Sequence, residues 1–208
     1  MTTHTAPQPY EYDSIRPYLD EEVPAVVAQL ANQPELRHVL SALLSEEETT
    51  ALLKHLKSIQ SVDAFKELIS YPLVVKLAKQ TTFSVSLSGA SRLGGDLPTT
   101  FVTNHRDIIL DSAFLNLVMR ERNYLMPRIA IGDNLFGRPW IEAVVKLNGS
   151  FVVRRSLPIR QMLLAAQALS AFIDQSIQQD HKSVWIAQRE GRAKDLSLIH
   201  ISEPTRPI

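Results

Sequence analysis

The chain has 208 residues, 45% apolar and 21% charged, with no net charge and no cysteine. That length suits one domain, or one domain with a small appendage. The missing cysteine excludes a disulfide scaffold, a Cys-ligated zinc site and a cysteine nucleophile. No uninterrupted apolar run reaches the roughly 18 residues of a membrane span, and the first residues lack the basic start and apolar run of a signal peptide. A cytoplasmic protein is therefore expected.

Zero net charge conceals two unlike halves. Residues 1–100 carry 8 Lys+Arg against 12 Asp+Glu, a balance of −4. Residues 101–195 carry 13 against 9, a balance of +4, and 10 of those 13 cations are arginine. The planar guanidinium fork suits phosphate and carboxylate partners.

In chain order, residues 1–19 read as a polar tail with three prolines. Residues 20–80 read as a small helical segment. Val23, Val26, Val27 and Leu30 recur at helical spacing, and Pro34 opens a second run with Leu36, Val39, Leu40, Leu43 and Leu44. Ser45 and Glu48 form a capping box for a third helix carrying Leu52, Leu53, Leu56 and Ile59. Asp63 is expected to cap a last helix with Phe65, Leu68 and Ile69. From residue 81 the period changes. Phe83 to Ser88 alternates apolar and polar residues, the pattern of a half-buried strand, and Thr99 to Thr103 reads as a second strand. Ile108 to Glu121 is helical, Arg128 to Ile131 a strand, Trp140 to Leu147 a helix, and Ser150 to Val153 a strand. Ser156 and Pro158 are expected to start a long helix with a stripe of Ile159, Met162, Leu163, Ala166, Leu169, Ile173 and Ile177. Lys182 to Gln188 is one more strand. Alternating strands and helices predict an α/β fold with a largely parallel sheet flanked by helices, preceded by the helical segment.

Four short segments follow strand ends, where sites gather. They are Asn104-His105-Arg106-Asp107 with Asp111, then Gly132-Asp133-Asn134-Leu135, then Phe151-Val152-Val153-Arg154-Arg155, then Arg189-Glu190-Gly191-Arg192. A histidine just after a strand, with a carboxylate a few residues on, can serve as a general base held in one tautomer. His105-Arg106-Asp107 also matches the His-Arg-Asp of a protein-kinase catalytic loop. That reading is rejected: position 112 is serine rather than asparagine, Ser88 to Gly95 is no phosphate loop, and Asp133-Asn134-Leu135-Phe136-Gly137 is not Asp-Phe-Gly.

Taken in order, the four segments resemble the four blocks of the glycerolipid (glycerol-3-phosphate / 1-acylglycerol-3-phosphate) acyltransferases, with the glycerol-3-phosphate and dihydroxyacetone-phosphate branch the best match. The resemblance covers about residues 83–195 and is closest in Gly132 to Leu135 and Phe151 to Arg155. Two departures stand out. The family's block places Asp at what is here Leu110, leaving Asp107 and Asp111 as the acids beside His105. The family's Phe-Pro-Glu-Gly-Thr-Arg becomes Ala187-Gln188-Arg189-Glu190-Gly191-Arg192.

The resemblance implies transfer of a fatty acyl group from a thioester, acyl-CoA or acyl carrier protein, to a glycerol hydroxyl in phospholipid biosynthesis. His105 would take the hydroxyl proton, and Asp111 or Asp107 would hold the imidazole. Gly132, Asp133 and Asn134 would shape the acceptor pocket. Arg154, Arg155 and Arg192 are the candidates for the acceptor's phosphate, with Arg154 favoured of the adjacent pair, and Glu190 and Gly191 complete the fourth block. No metal, cofactor or nucleic acid is implied. A membrane surface is an expected partner, on the inner face, with Leu135, Phe136 and Trp140 as candidate contacts. The alternative is a catalytically inactive lipid-binding relative. Residues 196–206 resemble the translation of a sequencing adapter. Residues 196–208 are accordingly read as foreign, with a catalytic domain over 81–195 that is cut short.

Overall fold

The computed structural model describes residues 12–93, 96–104 and 106–187. The helical segment begins with α1 (Val23–Leu30) and α2 (Pro34–Ser41), each carrying proline in its first turn, where no helical N–H is lost. The expected capping box is present at α3 (Glu46–Leu56). The Glu48 amide donates to Ser45 Oγ at 3.2 Å, and the Ser45 amide donates to Glu48 Oε2 at 2.8 Å. The next helix runs through α4 (Val62–Phe65), a π turn (Lys66–Ser70) and α5 (Tyr71–Thr81). Its cap is Ser61, whose Oγ accepts the Ala64 amide at 3.1 Å, rather than Asp63, which lies inside the first turn and pairs with Lys66. Pro72 offers no N–H to the carbonyl one turn back, and the helix widens just there.

The sheet has four parallel strands: β1 (Thr100–Thr103), β2 (Arg128–Gly132), β3 (Phe151–Val153) and β4 (Val184–Ala187), in the order β1-β4-β2-β3. Helices α6 (Leu110–Glu121), α7 (Pro139–Leu147) and α8 (Ile159–Gln178) connect them. The β3–β4 connection runs back across β2, opposite in sense to the other two. Right-handed crossovers therefore put α8 on one face and α6 and α7 on the other. A tight turn at Gly149, with φ +72°, closes α7: the Gly149 and Ser150 amides donate to the carbonyls of Lys146 and Val145.

Two cores hold the molecule. One joins Val23, Val27, Leu30, Leu56, Ile59, Phe65 and Ile69 of the helical segment to Leu147 of α7, so it spans both parts of the chain. The other lies between α8 and the sheet, with Phe151, Val152, Phe172 and Val184. Tyr12 and Ile15 belong to it as well, 4% and 5% exposed. The expected polar tail is thus an anchored strap over its described part, with Tyr12, Ile15 and Pro17 buried and Asp13 and Ser14 exposed. Two isolated apolar residues carry no period, so the sequence gives no sign of it.

Three further expectations change. Phe83 to Ser88 is not a strand: Val85 and Leu87 are half-buried and the serines exposed, but no strand pairs with the segment. Alternation does not make a ladder, and here it does not even mark one covered face, since Phe83 is fully exposed. Helix α8 starts at Ile159, with Pro158 at the N-cap and no side-chain cap from Ser156. Only the second half of its stripe is covered. Leu169, Ile173 and Ile177 pack on the core, whereas Ile159, Met162 and Leu163 are 87%, 47% and 64% exposed. A helix of 20 residues is about 30 Å long, and a strand of 3 or 4 residues only about 10–14 Å. The first half of α8 therefore has no sheet beneath it.

Candidate functional site

A parallel sheet delivers the C-terminal ends of all its strands to one edge. The first three segments singled out in the sequence leave the sheet there, after β1, β2 and β3, and β4 ends at that edge too. Across that edge the strand ends follow the order β1, β4, β2, β3. Of the expected site residues, His105, Glu190, Gly191 and Arg192 lie outside the described residues. The other seven are placed.

Asp107 and Asp111 shape the loop that leads from β1 into α6. Asp107 Oδ1 accepts the amides of Ile109 and Leu110 at 2.9 and 2.8 Å, satisfying donors at the helix start. Asp111 Oδ2 accepts the amides of Arg106 and Asp107 at 2.7 and 3.0 Å. The two acids that follow the expected base thus brace residues 106–110 ahead of α6. Asp111 reaches back over the loop from the first turn of α6, while Asp107 points forward to the helix.

The second and third segments are locked together. Their strands pair Gly132 with Val153, so the residues that follow leave the edge side by side. Asp133 is the hinge pin: its Oδ1 accepts the Arg155 amide at 3.1 Å, and its Oδ2 lies 3.9 Å from Arg154 Nη1. The Asp133 side chain is only 14% exposed. Gly132 is required by what crosses it. A Cβ there would lie 2.8 Å from Arg155 Nε and 3.2 Å from Cδ, with the Asn134 side-chain oxygen closer still.

The adjacent arginines, which follow β3, have different environments. Arg154 donates to the carbonyl of Ser14 at 3.1 Å besides facing Asp133. Arg155 crosses Gly132, is exposed, and has no carboxylate paired with its guanidinium among the described residues. Of the adjacent pair it is the unneutralised fork.

Three residues expected to face a membrane are packed instead. Leu135 is half-buried, Phe136 leans on the sheet core and Trp140 on the helical core. Trp185 is a core residue, 4% exposed. The exposed apolar side chains near the site edge are others: Ile108 and Ile109 before α6, and Ile159, Met162, Leu163 and Leu164 on α8. Sequence reading missed their exposure because a helical stripe does not say how far its support extends. Among the described residues no helix is long and apolar enough to cross a membrane, and no cluster of three or more His, Asp or Glu is arranged to hold a metal.

Comparison with known proteins found no matching family model and no matching curated protein.

Proposed function

We propose that the chain carries the catalytic core of an acyltransferase that moves a fatty acyl group from a thioester to a hydroxyl of a phosphate-bearing glycerol acceptor. The observation that carries this reading is the joining of the second and third segments through Asp133, on the edge from which the histidine loop also departs. The pairing of β2 with β3 sets the second and third segments side by side, and β1, with β4 between it and β2, ends at the same edge.

In this reading His105 accepts the acceptor's hydroxyl proton as the oxygen attacks the thioester carbonyl. The tetrahedral intermediate collapses with cleavage of the C–S bond, and the imidazolium returns its proton to the departing thiolate. Asp111 and Asp107 hold the loop that bears His105. Gly132 and Asn134 line the acceptor side, and Arg155 binds the phosphate by a charge-assisted, two-pronged contact. The overhanging turns of α8 support peripheral attachment to an anionic bilayer. Between Arg160 and Asp174 there is no charge, and Arg155 and Arg160 lie at the start of the apolar run.

The chain has no thiol of its own, so release of free thiol from an acyl-CoA reports turnover without background from the protein. Thiol release that requires glycerol 3-phosphate or 1-acylglycerol 3-phosphate is the expected result. A chain that binds lipid but releases no thiol with either acceptor fits the inactive relative instead.

A further inference from the structure

The strap at residues 12–16 touches the candidate site from outside the sheet. Tyr12 and Ile15 anchor it: both are buried, and the Tyr12 ring meets Phe172 edge-on at 5.6 Å between centroids. The Ile15 carbonyl accepts the Val152 amide at 2.8 Å, so the strap occupies the outer hydrogen-bonding edge of β3. One residue earlier, the Ser14 carbonyl accepts Arg154 Nη2 at 3.1 Å. Arg154 in turn faces Asp133, and Asp133 holds the Arg155 amide. An unbroken chain of contacts therefore leads from the strap to the backbone of Arg155.

We infer that the strap is a positioning element of the anion site: it holds Arg154 away from the acceptor, so that of the adjacent pair it is Arg155 that presents a free guanidinium to phosphate. This rests on the anion-binding role given to the site above. The physical reason is competition for one carboxylate. With the Ser14 carbonyl in place, Arg154 is shared between two acceptors and stays 3.9 Å from Asp133, leaving Oδ1 to the Arg155 amide. Without the strap, Arg154 can take both Asp133 oxygens in a bidentate pair, which turns Oδ1 off the Arg155 amide, and the guanidinium that crosses Gly132 loses its fixed origin.

A double-mutant cycle tests this, with inorganic phosphate as the probe and calorimetric titration as the readout. Tyr12→Ala/Ile15→Ala is expected to weaken phosphate binding about tenfold, whereas Arg154→Met, which removes the competitor, should leave it within about twofold. The two combined should bind like Arg154→Met alone, because without Arg154 the strap has no side chain to hold. Arg155→Met should abolish binding. In the acylation assay the strap variant should raise the acceptor KM and leave kcat within about twofold. If the strap variant loses cooperative unfolding, Ile15→Ala alone makes the same cycle. A double variant that binds phosphate as weakly as the strap variant, or a strap variant that binds it as the unmodified chain does, overturns the inference. An unmodified chain that fails to bind phosphate overturns it too. A cycle that closes in a chain without acyl transfer leaves the strap's role intact and removes the acyltransferase reading. Acyl transfer with an acceptor KM insensitive to the strap removes only the strap's role.

Discussion

Gly132 leaves room for the Arg155 side chain, whose Nε would stand 2.8 Å from any Cβ placed there. Gly132→Ala is therefore expected to push the guanidinium off its position and raise the acceptor KM by about tenfold, or 1.4 kcal/mol, with little change in kcat. Steady-state kinetics over acceptor concentration check this, and an unchanged KM would mean that Arg155 does not contact the acceptor. At this scale the sequence was informative about residue types and silent on their division of labour. It placed two arginines after a strand, one of them facing away, and favoured Arg154 as the phosphate group. The Ser14 carbonyl that engages Arg154 lies 140 residues away, a contact that spacing cannot reveal.

Among the elements, α8 shows most plainly what periodicity omits. Its apolar stripe is real, but the helix outruns the short strands, and Leu163 and Leu164 are 64% and 66% exposed. Leu163→Glu/Leu164→Glu should leave the unfolding free energy within about 1 kcal/mol, since substitutions at exposed sites cost little. Cosedimentation with vesicles rich in anionic lipid should fall several-fold. A large loss of stability would instead mark these turns as covered in solution. The strap and the first helices carry a second element-scale expectation. Arg16 Nη1 and Nη2 bond the Glu22 carboxylate at 2.7 and 3.1 Å, and the Leu19 amide adds a third bond. Together, with the Arg16 bond foremost and burial opposing, these hold the Glu22 carboxyl below its ordinary value. A carboxylate with a depressed folded-state pKa stabilises the fold above its unfolded value and loses that contribution as the pH falls through the folded one. Glu22→Gln should therefore lower the thermal midpoint at pH 7. The difference from the unmodified chain should vanish well below the ordinary glutamate value of about 4.3. A deficit that persists unchanged into acid would show that the bond adds nothing through charge. The capping box at Ser45 and the stripes of α1 to α3 were legible because local chemistry sets them. The Phe83 to Ser88 segment was misread because pairing is not local.

For the whole molecule, the α/β class and all four strands could be read from the chain, since each alternation of period marks an element. The strand order could not. It depends on the β3–β4 crossover running back over β2, and that inversion seats β4 between β1 and β2. The helical segment is likewise more than a preface: Leu147 of α7, fully buried, completes its core. A substitution at Leu147 would accordingly disturb the helical segment and the α7 connection together.

The central claim is that a histidine at the end of β1 acts as base for acyl transfer to an acceptor held at the ends of β2 and β3. The most direct measurement is the acceptor-dependent release of thiol from an acyl-CoA by the chain and by His105→Ala, alongside their thermal unfolding. The expected result is turnover in the unmodified chain, residual activity below about 10% in the variant, and the same unfolding midpoint in both. Equal turnover by a folded His105→Ala would contradict the claim.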